Sequence, residues 1–94
     1  LVENSFELGN YFRAQLNEIP SKHVKLIRGK GLFIGVELHE EAGGARRFCE
    51  ALAERGILCK ETHTHVIRFA PPLVIKKEQI DEALVKIKEV LLMP

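Results

Sequence analysis

Two apolar runs, VKLIR at 24–28 and LFIGVEL at 32–38, are separated only by Gly29-Lys30-Gly31. This spacing constrains the fold more than any other feature of the chain. A crossover between parallel strands takes a dozen or more residues, whereas an antiparallel pair can turn in two or three. The two runs are therefore expected to form an antiparallel hairpin. In its second strand Leu32, Ile34, Val36 and Leu38 share one face, and Phe33, Gly35 and Glu37 the other. One face of the hairpin is apolar and has to be covered.

Helical patterns supply the cover. Residues 1–19 read as a helix with Val2, Phe6, Phe12, Leu16 and Ile19 on a broad apolar face, weakened in the middle by Gly9 and broken at Pro20-Ser21. Gly43-Gly44 opens a second helix over 45–55, in which Ala45, Phe48, Cys49 and Leu52 fall on one stripe and Gly56 stands where a terminating glycine belongs. A third helix spans 77–92, with Ile80, Ala83, Leu84, Ile87, Val90 and Leu91 inward and Glu78, Glu82, Lys86 and Glu89 on a solvated face. Ile57-Leu58-Cys59 is a candidate short strand, and 65–70 another. The predicted fold is α+β: a single domain over 1–94 with a small, mostly antiparallel sheet of three to four strands and helices packed on one face. The other sheet face is left for something else to cover.

Several function classes are excluded or disfavoured by composition. Lys plus Arg number 14 against 13 Asp plus Glu, and the charges are interspersed, so no basic patch for nucleic acid stands out. No apolar stretch approaches the roughly 20 residues of a membrane span, and no charged-then-apolar signal pattern is present. Cys49 and Cys59, ten apart without a CxxC motif, read as two reduced, partly buried thiols of a cytosolic protein. Gly29-Lys30-Gly31 precedes a strand rather than a helix, so it reads as a turn and not a phosphate cradle. His63 and His65 lack a further Cys, Asp or Glu cluster, so no metal site is expected. No lysine sits in an apolar setting suited to Schiff-base chemistry; Lys60, between Cys59 and Glu61, comes nearest and reads as a structural or interface residue. With Leu1 first and Met93 the only methionine, the chain is expected to be a piece of a longer protein.

One charge is out of place. In HVIRFAPPLVI, residues 65–75, Arg68 interrupts an apolar strand that stops at Pro71-Pro72. Alternation turns Ile67 and Phe69 to the core and Val66, Arg68 and Ala70 to the uncovered face. An unpaired charge in a dry core would be strongly destabilising, so this orientation is the favoured one. The prolines end the ladder and stiffen the strand's exit. An arginine so held is a good carboxylate clamp, because its planar fork matches two oxygens and keeps its proton. The plainer reading is a surface arginine paired with Glu37 or Glu61.

The order of segments then carries a resemblance. RGKGLFIGVEL at 28–38, followed by ALAERGILCKETHTHVIRFAPPLVIKKEQIDEAL at 51–84, resembles the C-terminal small domain of class III pyridoxal-phosphate aminotransferases. Their pattern is RGKGLL, a helix, a G-(I/L)-L-x-K-x-T-H segment, IRFAPPL and a final amphipathic helix. Residues 28–31, 56–63 and 67–73 follow it closely, and the likeness extends over nearly the whole chain. KETH before Arg68 and APPL after it lean towards the ornithine-acting members rather than those acting on acetylornithine or 4-aminobutyrate. Thr64 departs from the pattern, standing where many relatives have glycine or an acidic residue.

The resemblance implies a fold-type I homodimer in the cytoplasm, with a large domain preceding this one. It implies that pyridoxal phosphate and its lysine belong to that large domain, so that no catalytic or cofactor-binding residue lies in these 94 and the fragment alone is inactive. It implies that the whole enzyme acts on L-ornithine and 2-oxoglutarate, linking arginine breakdown to proline. Arg68 matches the family's small-domain arginine, which a large-domain glutamate holds while ornithine reacts and which binds the α-carboxylate of 2-oxoglutarate or glutamate when released. The rival expectation is a free-standing α+β module for an acidic metabolite, with Arg68 clamping the ligand by itself.

Overall fold

The computed structural model describes residues 2–72 and 75–94, with side chains from residue 6 onward. Leu1 at the expected start of the first helix, the side chain of Val2, and Leu73 at the end of IRFAPPL lie outside the described residues. The elements in chain order are α1 (Val2–Asn17), β1 (Val24–Lys30), β2 (Phe33–Leu38), a single 3-10 turn at Glu40–Ala42, α2 (Arg46–Glu54), β3 (Lys60–Thr62), β4 (Val66–Phe69) and α3 (Lys77–Leu91). The strands form one sheet in the order β1-β2-β4-β3, with every neighbouring pair antiparallel. The α+β reading holds, with four strands.

The sheet buries the face that alternation assigns to the core. Leu32, Ile34, Val36 and Leu38 are buried, as are Ile67 and Phe69 on β4. Register explains their union: Ile34 lies opposite Phe69 and Val36 opposite Ile67. Against them pack Phe12 and Leu16 of α1, Phe48 and Leu52 of α2, and Ile80, Ile87, Val90 and Leu91 of α3. The rings of Phe12 and Phe69 meet at 5.9 Å between centroids. The expected stripes of α2 and α3 thus face inward as read from their 3.6-residue period.

Gly9 has a different purpose from the one its helix propensity suggests. A Cβ there would lie 2.0 Å from the Gly31 carbonyl oxygen, so α1 touches the β1–β2 turn backbone to backbone. The Arg13 Nη1 atom donates to the same oxygen at 2.9 Å. The loss of helix propensity at Gly9 is offset by a contact that no other residue permits.

The hairpin turn sits further along the chain than the Gly-Lys-Gly motif suggests. β1 runs on through Lys30, which pairs with Phe33, and the turn is Gly31-Leu32. The expected strand at 57–59 is absent; β3 begins at Lys60. Two local facts explain this. The Ile57 amide donates to Leu52 O at 2.9 Å and Gly56 to Ala53 O at 3.0 Å, the paired bonds that close a helix in a left-handed glycine. In addition, continuing the β3–β4 register back from Lys60 would set 57–59 against Phe69, Ala70 and Pro71, and proline has no N–H for the ladder. Leu58 is left 88% exposed.

The C-terminus of α3 is tied down by residues that periodicity does not reveal. Ser21 Oγ donates to Leu91 O at 2.6 Å. The ring of buried His23 lies with Nε2 2.7 Å from Met93 O and meets Phe48 edge-on at 5.2 Å.

Candidate functional site

Arg68 stands where alternation puts it. Its neighbours Ile67 and Phe69 are buried, whereas Arg68 is exposed on the face away from the helices. Its row across the sheet is set by register. Arg68 lies opposite Gly35 of β2 on one side and Lys60 of β3 on the other, and Gly35 in turn lies opposite Arg28 of β1. One row therefore reads Arg28, Gly35, Arg68, Lys60.

Gly35 is the floor of this row. A Cβ placed on it would lie 3.7 Å from both Cγ and Nε of Arg28 and 3.6 Å from Val66 Cγ1. The Arg28 side chain thus runs over the glycine towards β4. Arg28, Phe33, Gly35, His63, Val66 and Arg68 line a shallow cleft of about 430 Å³.

The electrostatics of this face are one-sided. Register places Arg28, Lys30, Lys60 and Arg68 on it, against the single carboxylate of Glu37. Among the described residues no carboxylate forms an ion pair with Arg28 or Arg68. Glu61, one of the expected partners of Arg68, instead accepts from Arg46 Nε at 3.1 Å. Its register partner is the core-facing Ile67, so it belongs to the other side of the strand. Glu37 lies opposite Leu26 and Val66, a row away from Arg68. Two guanidinium groups that line one cleft, with no counter-ion among the described residues, form a surface that attracts carboxylates.

The β3–β4 turn forms one lip of the cleft and is strained. His63 and Thr64 both have left-handed backbone, with φ of 49° and 66°. For a β-branched residue such as Thr64 this conformation is unfavourable. The turn is held by its carbonyls: Thr64 O accepts from the Ala45 amide at 2.7 Å, and His65 O from the Leu38 amide at 2.8 Å. Thr64, the residue that departs from the family pattern, is thus pinned to the start of α2. Among the described residues no group of three or more His, Cys, Asp or Glu lies close enough together to hold a metal ion.

An aldehyde cofactor such as the resemblance implies needs a lysine whose amine is neutral enough to attack it. All eight lysines of the chain are exposed. Where a shift is resolved, at Lys77, it is upward, caused first by hydrogen bonding to Asp81. Lys60 is solvent-facing beside Arg68. These residues do not fit a Schiff-base site. The thiols are equally ill-suited to nucleophilic work: burial raises Cys49, and it pushes Cys59 up to about 12.

Arg28 lines the cleft beside Arg68, and sequence reasoning did not single it out. Its signal was the turn position. A two-residue turn at 31–32 sets Arg28 opposite Gly35, whereas a turn centred on Lys30 would set it opposite core-facing Leu32.

Comparison with known proteins identifies the family and the fold. The chain matches the aminotransferase class-III family over residues 1–91. It is 62% identical over 90 residues to an ornithine aminotransferase from Staphylococcus epidermidis, covering 96% of this chain and 22% of that protein. Among solved structures, an ornithine aminotransferase from Plasmodium yoelii superposes with a TM-score of 0.89 at 36% identity, covering 95% of this chain and 24% of that one. An acetylornithine aminotransferase from Elizabethkingia anophelis gives 0.88 at 34% identity, over 96% and 24%. The chain thus spans about a fifth of the length of the curated relatives it matches.

Proposed function

The chain belongs to the class-III aminotransferases, and from that premise we propose that it is the C-terminal small domain of an ornithine aminotransferase. The whole enzyme transfers the δ-amino group of L-ornithine to 2-oxoglutarate, giving glutamate 5-semialdehyde and glutamate. It works as a cytoplasmic homodimer. The observation that carries this reading is Arg68, without an ion-pair partner among the described residues, on the one sheet face the helices leave open, in a chain 62% identical over 90 residues to an ornithine aminotransferase.

Pyridoxal phosphate supplies the electron sink for such a transfer, and it is held by the part of the enzyme outside these residues. The part played by this chain is recognition. Arg68 presents a fixed positive fork at the end of a strand stiffened by Pro71 and Pro72. It binds the α-carboxylate of 2-oxoglutarate or glutamate. While ornithine reacts, it is held instead by a glutamate of the large domain. This exchange lets one site take two substrates that present different ends to the reacting carbon.

The test is activity of the full-length holoenzyme with L-ornithine and 2-oxoglutarate, as wild type and as Arg68→Ala. Semialdehyde formation by the wild type, with loss chiefly of 2-oxoglutarate turnover in the variant, is the expected result. A wild type that ignores ornithine but uses N-acetylornithine or 4-aminobutyrate would keep the family and overturn the substrate. A variant as active as wild type would reduce Arg68 to scaffolding.

A further inference from the structure

We infer that Arg28 is a second binding residue for the carboxylate that Arg68 takes, so that the anion sits between two guanidinium groups above Gly35. The inference rests on the reading of Arg68 given above. Three observations carry it. Arg28 and Arg68 share one row of the sheet, each opposite Gly35. The intervening strand has no side chain at that point, and the Arg28 stem and Nε lie over the vacant position at contact distance, 3.7 Å from where a Cβ would be. Finally, no described carboxylate pairs with either group.

Arg28 and Arg68 reach the same cleft from strands on either side of β2, and two like charges facing one cleft repel each other unless an anion bridges them. A carboxylate has two oxygens and about four lone-pair directions, enough for a fork from each side. Glycine at the centre is what permits this, since a larger side chain at position 35 would stand between the forks. Lys60, on the far side of Arg68, adds a third positive charge that raises the local concentration of the dicarboxylic substrate. L-Ornithine, with an amine at its reacting end, gains nothing from such a site. The pair is therefore a selector for the dicarboxylate half of the reaction.

The test uses the full-length holoenzyme and separates its two half-reactions by cofactor absorbance. Arg28→Met is expected to lower kcat/KM for 2-oxoglutarate by roughly tenfold to a hundredfold, mainly through KM, the range for losing a charge-assisted hydrogen bond. The half-reaction with L-ornithine should stay within about twofold, and Arg28→Lys should recover part of the loss, because it restores charge without the fork. Glutarate, an unreactive five-carbon dicarboxylate, should bind Arg28→Met more weakly by a similar factor in calorimetry. Gly35→Val gives an independent variant: it fills the floor, displaces the Arg28 guanidinium and should reproduce the 2-oxoglutarate defect. Equal losses in both half-reactions, or an unchanged 2-oxoglutarate half-reaction in Arg28→Met, would overturn the inference. Should Arg68→Ala be impaired with 2-oxoglutarate while Arg28→Met is normal, only this inference falls. An Arg68→Ala enzyme that handles 2-oxoglutarate normally removes the reading of Arg68 and this inference with it.

Discussion

The two faces of the sheet, built from alternate residues of the same strands, differ in almost every physical respect. On the covered face Ile34, Val36, Ile67 and Phe69 are at most 3% exposed and pack against three helices. On the open face Phe33 is 61% exposed, and the row at its centre holds Arg28, Arg68 and Lys60 around Gly35. A strand residue changes roles with a single step along the chain. The covered face stabilises the domain; the open face, where Val66 is the buried exception, is free to carry charge because it packs against no helix. The contrast teaches that an arginine within an apolar strand need not be a defect when the strand has only one dry side.

The contrast is sharpest at two adjacent residues, where the largest effect is expected. Ile67→Ala should destabilise the chain by about 2–5 kcal/mol, the usual range for a core truncation. Arg68→Ala should change stability by less than about 0.5 kcal/mol, as for an unpaired surface group. Urea unfolding of both variants checks this. Comparable losses would mean that the open face is structural after all.

A smaller effect tests how the covering helices are seated. On propensity alone Gly9→Ala should stabilise α1 by about 1 kcal/mol. The Cβ would meet Gly31 O at 2.0 Å, a backbone atom that cannot swing away. The overpacking should prevail, with a net loss of about 1–3 kcal/mol and a downward shift in Tm. A rise in Tm would show that the helix can move off the hairpin freely and that the covered face is loosely packed.

The smallest effect lies at the rim of the helical layer. The Tyr11 hydroxyl of α1 donates to the Asp81 carboxylate of α3, and Lys77 Nζ approaches the same carboxylate at 3.2 Å while lying 4.7 Å from the Tyr11 ring centroid. Hydrogen bonding from Tyr11, with Lys77 adding to it, holds Asp81 below its ordinary carboxylate value, and the same bond raises Tyr11. A depressed carboxylate contributes stability that is fully present above its unfolded value, about 3.9. That contribution is lost as pH falls through the lower folded value. Tyr11→Phe should therefore flatten the acid limb of the stability–pH curve and leave the open face untouched. An acid limb identical to wild type would remove this clamp from the account of how α1 and α3 hold together.

Much of the covered face could be read from one dimension. Leu32, Ile34, Val36 and Leu38 are spaced by two, and the stripe from Ile80 to Leu91 by three and four, so burial follows from period alone. The orientation of Arg68 follows from the same rule. Where reading failed, a non-local contact was responsible. Ile57-Leu58-Cys59 has the composition of a strand, but its would-be partner runs into Pro71 and its first amide closes α2. His23 gives no periodic signal; its place is set by a carbonyl 70 residues away at Met93. Gly9 looked like a weak point because its reason lies in another element.

Alternation, helix stripes and turn residues determined from the sequence alone that this chain is an α+β layer pair with Arg68 on its bare side. Only the tertiary structure decided what Arg68 stands beside. Register depends on where a turn is centred, and moving the Gly-Lys-Gly turn by one residue reassigns every cross-strand neighbour. With the turn at Gly31-Leu32, Arg28 and Arg68 come to flank the same glycine. Burial is a property of each residue's own spacing, which the chain carries locally. The row around Gly35 is a property of residues 40 apart in sequence, Arg28 and Arg68, which share it only when the strands align.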